Sequence, residues 1–117
     1  DVSDESAQAF MDATGAEVVR IAPTDGRLDP VAVLRLLAAR GVTRVFSEGG
    51  PQVAESLLAA GLVDEFILHR GFKPLGRPGR VALTPLARTV LEDENRYRLI
   101  ETRMLGVDRM TRYARAD

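Results

Sequence analysis

Apolar and polar positions change period several times along this chain, and each change marks an element. Ala7, Phe10 and Met11 recur at spacings of three and four between Asp4 and Thr14, and the run stops before Gly15. That pattern predicts a short helix ended by a glycine. Glu17 to Ile21 is a compact apolar stretch that predicts a strand. Pro23 to Arg27 is turn chemistry, and Asp29 before Pro30 is an N-cap with proline at the first helical position. The helix expected from Pro30 to Arg40 turns Val33, Leu34 and Leu37 inward, with Leu36 widening the stripe and Gly41 ending it. A strand is expected over Val42 to Ser47. A further helix follows over Pro51 to Ala60, with Val53, Leu57 and Leu58 inward and Gly61 as its stop. Asp64 to His69, apolar through Phe66, Ile67 and Leu68, predicts a third strand. The order β-α-β-α-β, with helices long enough for right-handed crossovers, predicts a parallel sheet covered by helices.

The C-terminal third has another rhythm. Gly71 to Arg80 is a polar loop broken by glycine and proline. Leu83 to Val90 fits either a short helix or an edge segment. Tyr97 to Leu105 and Val107 to Tyr113 alternate with a period of two around Gly106, the pattern of a β-hairpin. The fold expected is therefore α/β: a mixed sheet with a parallel β-α-β-α-β core closed by an antiparallel C-terminal hairpin.

Composition narrows the chemistry. The 117 residues are 45% hydrophobic and 28% charged, the balance of one globular domain. A net charge of -1 leaves no basic excess to hold a nucleic-acid backbone, so nucleic acid is not an expected partner. No apolar run approaches a membrane span and no secretory leader pattern opens the sequence, so the expectation is a cytoplasmic chain without a membrane partner. With no cysteine, the chain has no disulfide, thiol nucleophile or Cys-based zinc site; with His69 as its single histidine, it has no multi-histidine metal site. His69 ends an apolar strand, which favours a sheet-end hydrogen bond over catalysis. Arg77 and Arg80 in the Gly/Pro loop, and the run Glu92, Asp93 and Glu94, read as solvated charges.

The stretch with the most chemistry is Val45-Phe-Ser-Glu-Gly-Gly-Pro-Gln-Val-Ala-Glu-Ser56. It sets Gly49 and Gly50 between a predicted strand end and a helix start. A helix N-terminus carries unsatisfied N–H groups and about half a positive charge, and glycine lets a phosphate approach the backbone. Pro51 lacks an N–H, while Gln52 and Val53 are expected to offer theirs. Neither a G-x-G-x-x-G fingerprint nor a P-loop is present. Glu48 stands where open α/β sheets bind ligands, at the end of a strand, and is a candidate ligand contact.

Gly41 to Pro51, then Leu57 to Glu65, Lys73-Pro-Leu-Gly76, Tyr97 to Glu101 and Leu105 to Asp108 resemble the reductase domain of the RibD family of riboflavin biosynthesis, from about Gly15 to Tyr113. The resemblance implies a dihydrofolate-reductase-like fold and NADPH-dependent reduction of a phosphoribosylamino-pyrimidine to its ribityl form. Carried over by position, it makes Glu48 a substrate contact. It makes Gly49, Gly50, Pro51, Gln52, Val53, Ala54, Glu55 and Ser56 the NADPH-binding turn and helix start, and it implies a homodimer. It also implies that the chain corresponds to roughly the second half of such a domain, with most substrate and nicotinamide contacts in the other half and, in bifunctional members, a zinc deaminase domain before that. On that expectation these residues alone are inactive. Two other functions fit the residues: a dihydrofolate-reductase-like enzyme for a pterin or another small compound, and a non-catalytic association module.

Overall fold

The computed structural model describes residues 3–116. Four helices and three strands follow in order: α1 (Asp4–Thr14), α2 (Pro30–Ala39), α3 (Pro51–Ala59), β1 (Glu65–Arg70), α4 (Pro85–Glu92), β2 (Tyr97–Leu105) and β3 (Asp108–Arg115). Each helix starts where its local chemistry allows. Ser3, Asp29 and Thr84 accept from the N–H of Ser6, Val31 and Ala87 at the starts of α1, α2 and α4. Proline occupies the first turn of α2, α3 and α4, where its missing donor costs nothing. Gly15 ends α1 at φ 68°, and its N–H donates to the Met11 carbonyl.

The strands form one antiparallel sheet in the order β1-β3-β2. β2 and β3 are the expected hairpin, turning at Gly106 and Val107 between the paired Leu105 and Asp108. Gly106 has φ 65°, the left-handed value that a type II′ turn requires at its first central residue. A register shift between Leu99 and Glu101 puts a bulge in β2. Cross-strand register places Phe66 opposite Tyr113 and Tyr113 opposite Leu99, so these side chains share a face.

The core lies where α3 and α4 meet that face. Leu58, Ala87, Val90, Leu91 and Tyr97 are buried, with Val63, Phe66, Leu83 and Tyr113 packed around them. Leu58 is 0% exposed, and its truncation to alanine should cost about 2–5 kcal/mol. Hydrogen bonds tie the end of α3 to the sheet. The Arg96 guanidinium donates to the Leu58 and Ala59 carbonyls at 3.0 and 3.1 Å, and the Tyr97 hydroxyl donates to the Val63 carbonyl at 2.9 Å. On the opposite face, Arg112 donates two hydrogen bonds to Glu65 and also faces Glu101, which pairs with Arg103.

The parallel β-α-β-α-β core expected from the sequence does not form among the described residues. Glu17–Ile21 and Val42–Ser47 have no strand conformation, and β1, a strand in both readings, pairs antiparallel with β3. A strand exists only where a neighbour takes its N–H and C=O groups, and neither segment has one. Their side chains are correspondingly open, with Val45 50% and Phe46 80% exposed. α2, expected to cover the sheet, has no buried residue. The radius of gyration, 17.3 Å, exceeds the roughly 13 Å of a closed domain of this length. The segment 83–90, open between helix and edge, is resolved in favour of α4, which starts at Pro85 behind the Thr84 cap.

Candidate functional site

Gly49 and Gly50 are both glycine, for different reasons. A Cβ on Gly49 would lie 2.8 Å from Cβ and Cγ1 of Val53, which leans back over the turn, so Gly49 is a packing requirement of the helix start. A Cβ on Gly50 would meet nothing within 4 Å. The space beside Gly50 is therefore open to a ligand. Gly50 is the N-cap of α3, with extended backbone (φ -69°, ψ 179°) and no side chain to cap the helix. The first-turn donors thus lack the capping oxygen that Ser3, Asp29 and Thr84 provide elsewhere.

Those donors are fewer than expected. The Val53 N–H is directed to the Gly50 carbonyl at 3.0 Å, so it is occupied within the turn, which corrects the expectation that it faces a ligand. Pro51 has none. Gln52, second in the helix, has no carbonyl four residues back inside it and keeps its N–H for an outside acceptor. The Gly49 N–H makes a long contact to Ser47 Oγ at 3.4 Å.

The other expected site residues fall into three places. Glu48 and Gln52 are exposed at the turn, and Glu48 has no ion-pair partner among the described residues. Ala54 and Glu55 are half-buried on the side of α3 that packs toward α4, and the Glu55 carboxylate accepts a hydrogen bond from the Thr84 hydroxyl. Ser56 donates to the Gln52 carbonyl at 2.9 Å, so its hydroxyl is turned onto its own helix. The open end of α3 thus consists of Glu48, Gly49, Gly50 and Gln52, while Glu55 is engaged by Thr84 and the exposed Ser56 by its own helix.

A chemically important residue that sequence reading passed over is Thr84. It caps α4 and donates to Glu55 at once, joining the helix behind the glycine turn to the next helix. The signal was available, since Thr84-Pro85 repeats the cap-then-proline arrangement of Asp29-Pro30.

The model of the RibD C-terminal domain family matches residues 2–109. The chain belongs to the RibD C-terminal domain family. It is also similar to the riboflavin biosynthesis protein RibD of Escherichia coli (strain K12), 35% identical over 83 residues. That match covers 71% of this chain and 23% of the relative, so the chain spans under a quarter of that protein's length. The glycine turn and α3 lie within the part of this RibD C-terminal domain that the family model matches. Among the described residues no cluster of His, Cys, Asp and Glu could hold a metal ion, and no helix is long and apolar enough to cross a membrane.

Proposed function

We propose that this chain supplies the NADPH phosphate cradle and one substrate carboxylate of a reductase that converts 5-amino-6-(5-phosphoribosylamino)uracil to its ribitylamino product. The observation that carries the reading is the open backbone at Gly50 ahead of the uncapped α3, in a member of the RibD C-terminal domain family. The residues fit an anionic cofactor: Gly50 leaves the approach clear, the Gln52 N–H is free to donate, and the helix dipole adds partial positive charge. NADPH supplies a hydride when bound. The chain's own part is to fix the cofactor phosphates at the start of α3 and to orient the substrate with Glu48, an exposed carboxylate that can accept from hydroxyl or amine donors. Glu55 acts from behind, holding α3 against α4 through Thr84.

Association as a homodimer belongs to the same reading. Its support is the edge strand β2, whose Leu99, Met104 and Leu105 are exposed. A second reading, a non-catalytic association module, is favoured by the exposed Val45 and Phe46.

The test is NADPH oxidation by the intact protein with the phosphoribosylaminouracil as substrate. Glu48→Gln should lower kcat/KM by tenfold or more while leaving NADPH affinity within a few fold. Absence of substrate-dependent oxidation in the wild type would favour the association module. A collapse of NADPH affinity in Glu48→Gln would move that carboxylate to the cofactor side.

A further inference from the structure

A cleft between the end of β1 and α4 lies apart from the glycine turn, and none of Glu48 to Ser56 lines it. Arg70 from β1 and Arg88 from α4 stand in its walls with Glu92, over a floor that includes Leu68, Leu91 and Tyr113. Arg109 is directly opposite Arg70 in the β1–β3 register, so the two guanidinium groups share a sheet face. Like charges placed opposite one another on a sheet are destabilising unless something between them carries the opposite sign. Arg70, Arg88 and Arg109 have no ion-pair partner among the described residues. Elsewhere on the sheet Arg103, Arg112 and Arg115 are each paired with Glu101, Glu65 or Asp64, while Arg98 has no ion-pair partner among the described residues. Glu92, one turn beyond Arg88, and Asp108, whose carboxylate accepts from the Phe72 N–H two residues past Arg70, offset two of the three positive charges and leave an excess of one.

We propose that this cleft binds a small phosphate monoester carrying a flat apolar ring, with Arg70 and Arg88 as the forks that grip the phosphate. Guanidinium groups present parallel N–H donors matched to phosphate oxygens, and such charge-assisted pairs are the stronger kind of hydrogen bond. Arg109 adds positive potential from across the strand pair. Half-buried Leu68 and Tyr113, with Leu91 buried in the core beneath, give the ring an apolar surface, and the Tyr113 ring is available for offset stacking. The inference goes beyond the glycine-turn reading and does not depend on it, because the residues are separate.

The experiment is an NMR titration of the intact protein that follows backbone amides and arginine Nε–H signals. Its four arms are phenyl phosphate, inorganic phosphate, a phosphotyrosine peptide and sodium chloride at matched ionic strength. The expected result is a saturable shift of the Arg70 and Arg88 Nε–H signals with phenyl phosphate, several fold tighter than with inorganic phosphate and absent with chloride. Arg70→Gln and Arg88→Gln should each weaken binding tenfold or more, and Glu92→Gln should tighten it by removing the repelling carboxylate. Equal response to chloride, or an unchanged titration in the double arginine variant, would overturn the site. Phenyl phosphate binding no tighter than inorganic phosphate would overturn the apolar half of the recognition. A phosphotyrosine peptide binding far tighter than phenyl phosphate would overturn the small-molecule assignment. NADPH binding at the glycine turn is read separately by Gly50→Val, so either inference can fail without the other.

Discussion

Single residues decide more in this chain than its composition suggests. The paired glycines look interchangeable in the sequence, and only the placement of Val53 separates a packing glycine from an open one. Gly49→Val should destabilise the α3 start by about 1–3 kcal/mol through overpacking, whereas Gly50→Val should leave the melting temperature nearly unchanged. Thermal unfolding of the two variants distinguishes them, and equal losses would contradict the assignment. Tyr97 makes a second residue-scale case. It is 2% exposed, its hydroxyl donates to Val63, and burial pushes its pKa above the ordinary tyrosine value. A raised folded-state pKa means that the stabilisation is fully present below about pH 10, where unfolded tyrosine begins to ionise, and is lost as pH rises through the folded value. Tyr97→Phe should cost about 1 kcal/mol at neutral pH by leaving the Val63 carbonyl unsatisfied, and should flatten the alkaline fall in stability. Urea unfolding at neutral and alkaline pH measures both, and an alkaline fall of undiminished size in the variant would contradict the tyrosine's part. Glu65 works in the opposite direction. Hydrogen bonds from Arg112 hold its pKa below the usual carboxylate range, so its contribution is present above the unfolded value and lost as pH falls through the folded one.

At the scale of elements, the helices were legible because their signals are local. Asp29-Pro30 and the glycines after Thr14, Arg40 and Ala60 are read within a few residues, and α1, α2 and α3 start and stop within a residue or so of those marks. The hairpin was legible for the same reason, its turn being set by Gly106. The segments 17–21 and 42–47 were not, because an apolar run becomes a strand only with a partner, and partnership is not written in the run itself. The glycine turn was found from the sequence as a strand-to-helix junction; its helix side is right and its strand side is not formed. The Thr84 link between α3 and α4 is an element-scale feature with a direct test. Thr84→Val should cost about 1–2 kcal/mol by removing the α4 cap and leaving Glu55 without its donor, and Thr84→Ser should restore most of it. Chemical denaturation of the pair measures this, and a serine variant as weak as the valine one would show that the hydroxyl is not what matters.

Across the whole molecule, apolar surface is distributed unevenly. Leu58, Val90, Leu91 and Tyr97 make a well-packed centre between α3, α4 and the sheet, while Val45, Phe46, Leu99 and Met104 remain open to solvent. Surface of that kind drives association. The 117-residue chain in isolation should therefore self-associate, and Phe46→Ser should reduce the effect, as sedimentation velocity at several concentrations would show. A concentration-independent monomer would contradict it.

Whether the cofactor phosphates lie against the start of α3 is decided by NADPH titration of the intact wild-type protein beside Gly50→Val. The fold should be unchanged and the dissociation constant raised tenfold or more, a loss of about 1.4 kcal/mol, because the new side chain fills space that the protein itself leaves open. An equally stable variant that binds NADPH as tightly as the wild type would contradict it.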